Sequence, residues 1–230
     1  MFSNFDFDVI IRSLPYLFLD GMTFTLMLTA LATVGGILFG TLLALMRLSG
    51  VGPLTLFAAG YVNLMRSVPL VLMIFWFYFL VPYIGQWITA ASRPIQVGAF
   101  VSSLVTFTLF EAAYFAEIMR AGIQSIPRGQ EAAAQALGMT YSQTMGYIVL
   151  PQAFRNMVPV LLTQTIILFQ DTSLVYVLSV TDFLGAASKV AQRDGRLVEM
   201  YLFAALVYFL ISLAASHLVR RLQARIAIIR

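Results

Sequence analysis

The sequence predicts an all-α integral membrane protein with about five transmembrane helices, N-terminus outside and C-terminus inside, and a pair of short cytoplasmic helices. Two observations carry the class. Of 230 residues, 60% are hydrophobic and only 10% charged, against roughly 25% charged in soluble domains, which leaves too few polar groups to cover a water-facing surface. Residues 21–46, 67–92 and 132–154 carry no charged side chain, and 200–219 has only His217. A bilayer span needs about 20 predominantly apolar residues, so several of these runs are long enough. The distribution of the remaining charges then sets the orientation.

Taken in order, MFSNFDFDVIIRSLPYLFLDG lacks a basic n-region and a small-residue cleavage site, so it reads as an amphipathic lead-in. The first span covers about 20–46, where Gly35, Gly36 and Gly40 let another helix approach closely. PLTLFAAGYVNLM at 53–65 leads to Arg66, and Pro69 then opens an aromatic run, so the second span is placed at 67–84. A loop with Arg93 precedes the third span, 97–119. Two short helices fill 128–150. The fourth span, 156–180, is interrupted by Asp171; a polar loop at 182–198 follows, then the fifth span at 199–219 and the basic tail RRLQARIAIIR.

With five spans, the termini lie on opposite sides. If the tail faces the cytoplasm, that side holds nine basic residues, Arg66 counted at the membrane edge, and the other holds five. The excess favours N-out, C-in. The net charge of +4, from 13 Arg and one Lys against ten acids, speaks to orientation and anionic lipid rather than to nucleic acid. With no cysteine and one histidine, disulfides, thiolate metal sites and histidine clusters are not expected. No internal duplication is apparent, so a pathway would lie between two copies or between this chain and a relative.

In the short helices, Pro127 suits a first turn and Gly138 the position past a helix end. Between them QEAAAQAL has high helix propensity, with Ala133, Ala136 and Leu137 on one face. Thr140 and Gln143 suit a capping box for the second helix, which is expected to stop before Pro151. Propensity alone leaves two readings open, a linker or a docking shelf. The spacing adds to it. Glu131-Ala132-Ala133, then Gly138, then Ile148-Val149-Leu150-Pro151 resembles the EAA signature of the permease subunits of ABC importers.

The resemblance covers nearly the whole chain. FEAAYFAEIMRAGIQSIPRGQEAAAQALGMT and QDTSLVYVLSVTDFL look like blocks shared by polar amino-acid permeases. Arg66-Ser67-Val68-Pro69 departs from the RGTP-type sequence usual there and, with the aromatic run after it, is most similar to the glutamate/aspartate branch. The resemblance implies a bacterial inner-membrane permease translocating a polar amino acid. Its partners would be an ABC ATPase dimer binding ATP and Mg, a second permease subunit, identical or homologous, and a periplasmic amino-acid-binding protein. Glu131, Ala132, Ala133, Ala136, Leu137 and Gly138 would form the coupling surface for the ATPase. The chain itself has no GxxxxGK[ST] phosphate loop, so no cofactor and no catalytic residue is expected within it. The alternative is a gradient-driven secondary transporter or channel, which gives no reason for an alanine-rich shelf.

Ionised carboxylates are costly at span depth, so each should face protein or a water-filled cavity. Asp171 with Thr172 and Ser173 is the leading substrate candidate: a helix broken there would expose backbone donors to a substrate carboxylate while Asp171 meets an ammonium. The competing role for Asp171 is capping the second half-helix. Glu111 either lines the pathway or bonds a neighbouring span. Glu117 is three residues before Arg120, the spacing of a structural ion pair. Arg66 is expected to snorkel to the interface, which leaves no basic residue clearly at mid-membrane.

Overall fold

The computed structural model describes residues 5–226; the first four residues of the lead-in and the last four of the basic tail lie outside them. The chain folds as helices joined by short turns, and five helices are long and apolar enough to cross a membrane.

Helix α1, Phe7–Leu48, takes in both the lead-in and the first span. The lead-in runs into the membrane helix without a break. Asp6 starts it by accepting from the N–H groups of Asp8 and Val9 at 2.9 and 3.3 Å, as an N-cap should. Pro15 sits inside α1 without ending it, because the turns widen over Tyr16–Met22 and the ladder re-forms around the missing N–H.

Helix α2, Gly52–Ser67, stops because Pro69 forces Val68 into extended backbone (φ −108°, ψ 133°). Helix α3, Leu70–Thr89, begins only after that break, so the second span starts three residues later than 67 and runs past 84. Helix α4, Ala99–Gln124, is the best buried of the spans and packs along α1. A Cβ on Gly40 would lie 2.9 Å from the Phe115 Cβ and 3.0 Å from the backbone of Ala112 and Ala116. Only glycine lets the two helices approach this closely there. The Tyr61 hydroxyl ties α2 to α4 by donating to the Leu109 carbonyl at 2.8 Å.

Helix α5, Arg128–Ala136, is the first short helix. The second merges with the fourth span into α6, Tyr141–Leu178. The expected stop before Pro151 does not occur, since the helix widens over Thr144–Val149 immediately before it and accommodates the proline. Helix α7, Phe183–Asp194, occupies most of what the sequence suggested was a polar loop. Asp182 caps it by accepting from Leu184 and Gly185 N–H groups at 3.1 and 3.0 Å, and Gly195 ends it at φ 68°. Helix α8 is Leu197–Ile226.

Two apolar cores result. The larger joins α1, α2, α3, α4 and α6 around Phe107, Phe115, Ile74 and Leu168, all 1% exposed or less. The smaller lies at one end of the bundle, where Phe183, Ala186, Ala187 and Val190 of α7 meet Val9 and Leu17 of α1 and Met200 of α8. Salt bridges decorate that end: Arg12–Asp194 at 3.0 Å and Arg196–Glu199 at 3.2 Å. The Arg193 guanidinium, with Arg12 nearby, holds the Asp194 carboxyl down at about 2.

Candidate functional site

The break between α2 and α3 decides the site. Because Val68 and Pro69 are extended, the end of α2 and the start of α3 form one wall of a cleft of about 500 Å³, lined by Arg66 to Leu70. Helix α4 contributes Phe110 and Tyr114, and α6 contributes Gln164, Ile167 and Asp171. The Arg66 guanidinium lies over the Tyr114 ring, 5.5 Å from its centroid, a cation–π contact. Tyr114 is ten residues before the end of α4, about 15 Å of helix, so Arg66, exposed on this chain, sits along the length of that helix rather than at its end.

This placement supplies the cation that the sequence did not locate. Arg66 and Asp171 face one cleft with opposite charges, and among the described residues neither has an ion-pair partner. Arg66 is exposed and Asp171 half-buried on this cavity, and two charges of opposite sign lining one cleft suit a zwitterion.

The surroundings of Asp171 differ from expectation. Helix α6 is not broken there; it tightens over Thr172–Leu178 and ends at Ser179, φ 59°. The Thr172 N–H bonds back to Leu168 and Gln170, so no helix N-terminus opens toward a substrate, and Asp171 makes no capping bond. Thr172 is fully buried, with its hydroxyl donating to the Phe169 carbonyl at 2.7 Å. The cleft wall from α6 is built by Gln164 and Asp171 rather than by Thr172 or the half-buried Ser173. Glu111 is fully buried and lies behind the cleft, where its two carboxylate oxygens accept from the Gln164 amide at 3.1 and 3.4 Å. Of its two sequence readings, the bond to a neighbouring helix is the one seen. Gln164 itself was missed; a long polar side chain inside an apolar run was the available signal.

Near the other end of the bundle, Glu117 meets Arg120 and also Arg47 of α1, so the expected pair is a triad across two helices. On α5, Ala132, Ala133, Ala136, Leu137 and Gly138 are exposed and Glu131 is half-buried. Leu137 is 83% exposed. Ala134 is buried and anchors the helix. Gly138 has φ +76°. The Thr140–Gln143 capping box is formed, with Thr140 N–H donating to Gln143 Oε1 at 2.9 Å.

Residues 36–228 match the family described as binding-protein-dependent transport system inner membrane component. The chain belongs to that family. It is thus a membrane component of a transport system, the non-catalytic permease class. Glutamate/aspartate import permease protein GltK of Escherichia coli O6:H1 is 57% identical over 224 residues, 97% of this permease and 99% of GltK. Probable glutamine ABC transporter permease protein GlnM of Bacillus subtilis is 33% identical, covering 91% of this chain and 93% of its own. Among solved structures, an amino acid ABC transporter with histidines matches at TM-score 0.86 and 32% identity, covering 96% of this permease and 98% of that chain. The MetNI methionine ABC transporter, at TM-score 0.67, 22% identity and coverage of 90% and 96%, shares the fold.

Proposed function

We propose that this permease carries glutamate or aspartate across the bacterial inner membrane as one subunit of an ATP-driven importer. The carrying observation is that Arg66 and Asp171, neither with an ion-pair partner among the described residues, line one cleft. Asp171 receives the α-ammonium and Arg66 a substrate carboxylate. The N-terminus and α7 lie outside, and the C-terminus and the α5 shelf inside. A partner ATPase dimer binds ATP and Mg and docks on Ala132, Ala133, Ala136, Leu137 and Gly138. A periplasmic binding protein delivers the amino acid, and a second permease completes the pathway. Support comes from 57% identity to a glutamate/aspartate permease and from the exposure of the shelf.

The test is uptake of radiolabelled glutamate into liposomes holding this chain with its ATPase, partner permease and binding protein. Uptake requires ATP and binding protein. It falls at least about tenfold in Asp171→Asn and Arg66→Gln, since a hydrogen bond to a charged group is worth about 1.5–3 kcal/mol and about 1.4 kcal/mol is a factor of ten. Gly138→Asp abolishes ATP-driven uptake while the permease stays folded. Uptake by this chain alone on an ion gradient would replace the importer with a secondary transporter.

A further inference from the structure

We propose that the C-terminal end of α8 is a binding site for an anionic phospholipid. An acyl chain lies along the exposed leucine face of the helix, and the headgroup phosphate meets Arg220, Arg221 and Arg225. The site is independent of what the Arg66–Asp171 cleft carries.

No Asp or Glu follows Glu199 in the sequence. Met200 to Val219, between that acid and Arg220, rise about 30 Å as helix, the thickness of a hydrocarbon core. Arg220 and Arg221 thus stand at the level of the lipid phosphates, and Arg225 about 7 Å further along the helix. Because α8 stays helical to Ile226, their directions are fixed. At about 100° per residue, His217, Arg220, Arg221 and Arg225 fall in the same sector as Leu202, Leu206, Leu210 and Leu213. All four leucines are at least 46% exposed, and the four basic residues are exposed as well. Val219, Leu222 and Ile226, on the other side, are half-buried. One face of α8 therefore runs from apolar to basic where a bilayer runs from acyl chain to phosphate.

Among the described residues none of the three arginines has an ion-pair partner. Charge that only sets orientation can sit anywhere in a flanking loop; here it extends a face already apolar at bilayer depth. The guanidinium fork matches a phosphate through paired N–H bonds. A lipid with a net negative headgroup leaves that attraction uncompensated, whereas the choline of phosphatidylcholine cancels it. An acidic protein surface would suit the arginines but not the leucines below them. The cleft that a second permease would close takes no residue from α8, and the exposed shelf belongs to α5.

The experiment counts lipids on the assembled permease–ATPase complex by native mass spectrometry. The complex is stripped of its own lipid in detergent and given equal amounts of dioleoyl-phosphatidylglycerol and dioleoyl-phosphatidylcholine. Assembly is checked by size-exclusion chromatography. An arginine at a charged lipid surface is worth about a fivefold preference, so wild type is expected to favour phosphatidylglycerol at least about tenfold. Arg220→Gln/Arg221→Gln/Arg225→Gln should lose most of that excess. Arg221→Gln alone should lower it about fivefold, and Arg155→Gln, an exposed arginine on α6, should leave it intact. The single variants decide the matter even if the triple one fails to assemble. No excess in wild type overturns the proposal, and so does an excess that survives the triple variant. Equal losses in Arg155→Gln and Arg221→Gln would reduce the effect to net charge and also overturn it. Glycerol 3-phosphate in hundredfold excess should not displace the lipid; displacement would make this a site for free phosphate esters instead. A triple variant that sheds the ATPase, with single variants that keep the full excess, would give the arginines to a protein contact.

Discussion

At the scale of single residues, Arg66 and Asp171 show how much depends on backbone geometry a few positions away. Arg66 faces the cleft because Val68 is extended ahead of Pro69, and Tyr114 then holds the guanidinium by its ring face. Replacing the ring should therefore cost affinity without touching charge. Tyr114→Leu is expected to raise the apparent KM for glutamate uptake about three- to tenfold, in keeping with a cation–π contact of about 0.5–2 kcal/mol, whereas Tyr114→Phe should stay near wild type. A Leu variant with unchanged KM would remove the ring from the site. Asp171 was legible in the sequence because an acid inside an apolar run has few bland explanations. Arg66 was not, since the run is interrupted there and an arginine at an interruption reads as an interface residue. Gln164 carries no charge, and only the packing of α4 on α6 reveals what its amide meets.

At the scale of elements, the spans were legible by length and apolarity, and their ends were not. Proline is an uneven guide to helix ends: Pro69 does separate two helices, while Pro15, and Pro151 where a stop is expected, are absorbed by widened turns that no local pattern announces. Helix α7 was lost to polarity, although Asp182 and Gly195 at its two ends form a legitimate cap pair. Its burial has a measurable consequence. Asp182 is fully buried and its carboxyl is pushed up to about 7 by desolvation, partly opposed by the Gly185 and Leu184 N–H bonds and by Lys189. A carboxyl with a folded-state value above its unfolded one binds more protons when folded, so stability falls as pH rises from about 4 to about 7 and levels off above that. Melting temperatures of the detergent-purified permease should fall across that window. Asp182→Asn, which keeps a good N-cap, should flatten the slope; an equally steep slope would assign it to another group. The α1–α4 seam makes a second test. Gly40→Val should destabilise by about 1–3 kcal/mol through overpacking, because the atoms it meets are the Phe115 Cβ and the backbone of Ala112 and Ala116, none of which can swing aside; unchanged thermal stability would mean the helices can separate freely.

At the scale of the whole molecule, the fold reads as a permease because its polar groups sort into three places: a charged lattice at the α7 end, a cleft within, and an exposed shelf at α5. The family resemblance is readable from the Glu131–Gly138 spacing with Ile148–Pro151 after it, but the spacing says nothing of what stands between shelf and cleft. Topology can be checked directly, since the chain has no cysteine. In right-side-out vesicles a membrane-impermeant maleimide should label Asp194→Cys and spare Leu137→Cys, and the inverse pattern would reverse the orientation. Between these two faces runs α6, a single rod from Tyr141 to Leu178. Tyr147 near its lower end and Asp171 near its upper one are separated by 24 residues, about 36 Å of helix. A lever of that length multiplies small angles: a tilt of about 10° about the lower end would sweep the carboxylate by about 6 Å, roughly the width of an amino acid. Beyond Pro151, which the widened turns at Thr144–Val149 absorb, Pro159 is the one proline before Asp171, so a tilt imposed at the base would reach that carboxylate through a single helix with one possible kink.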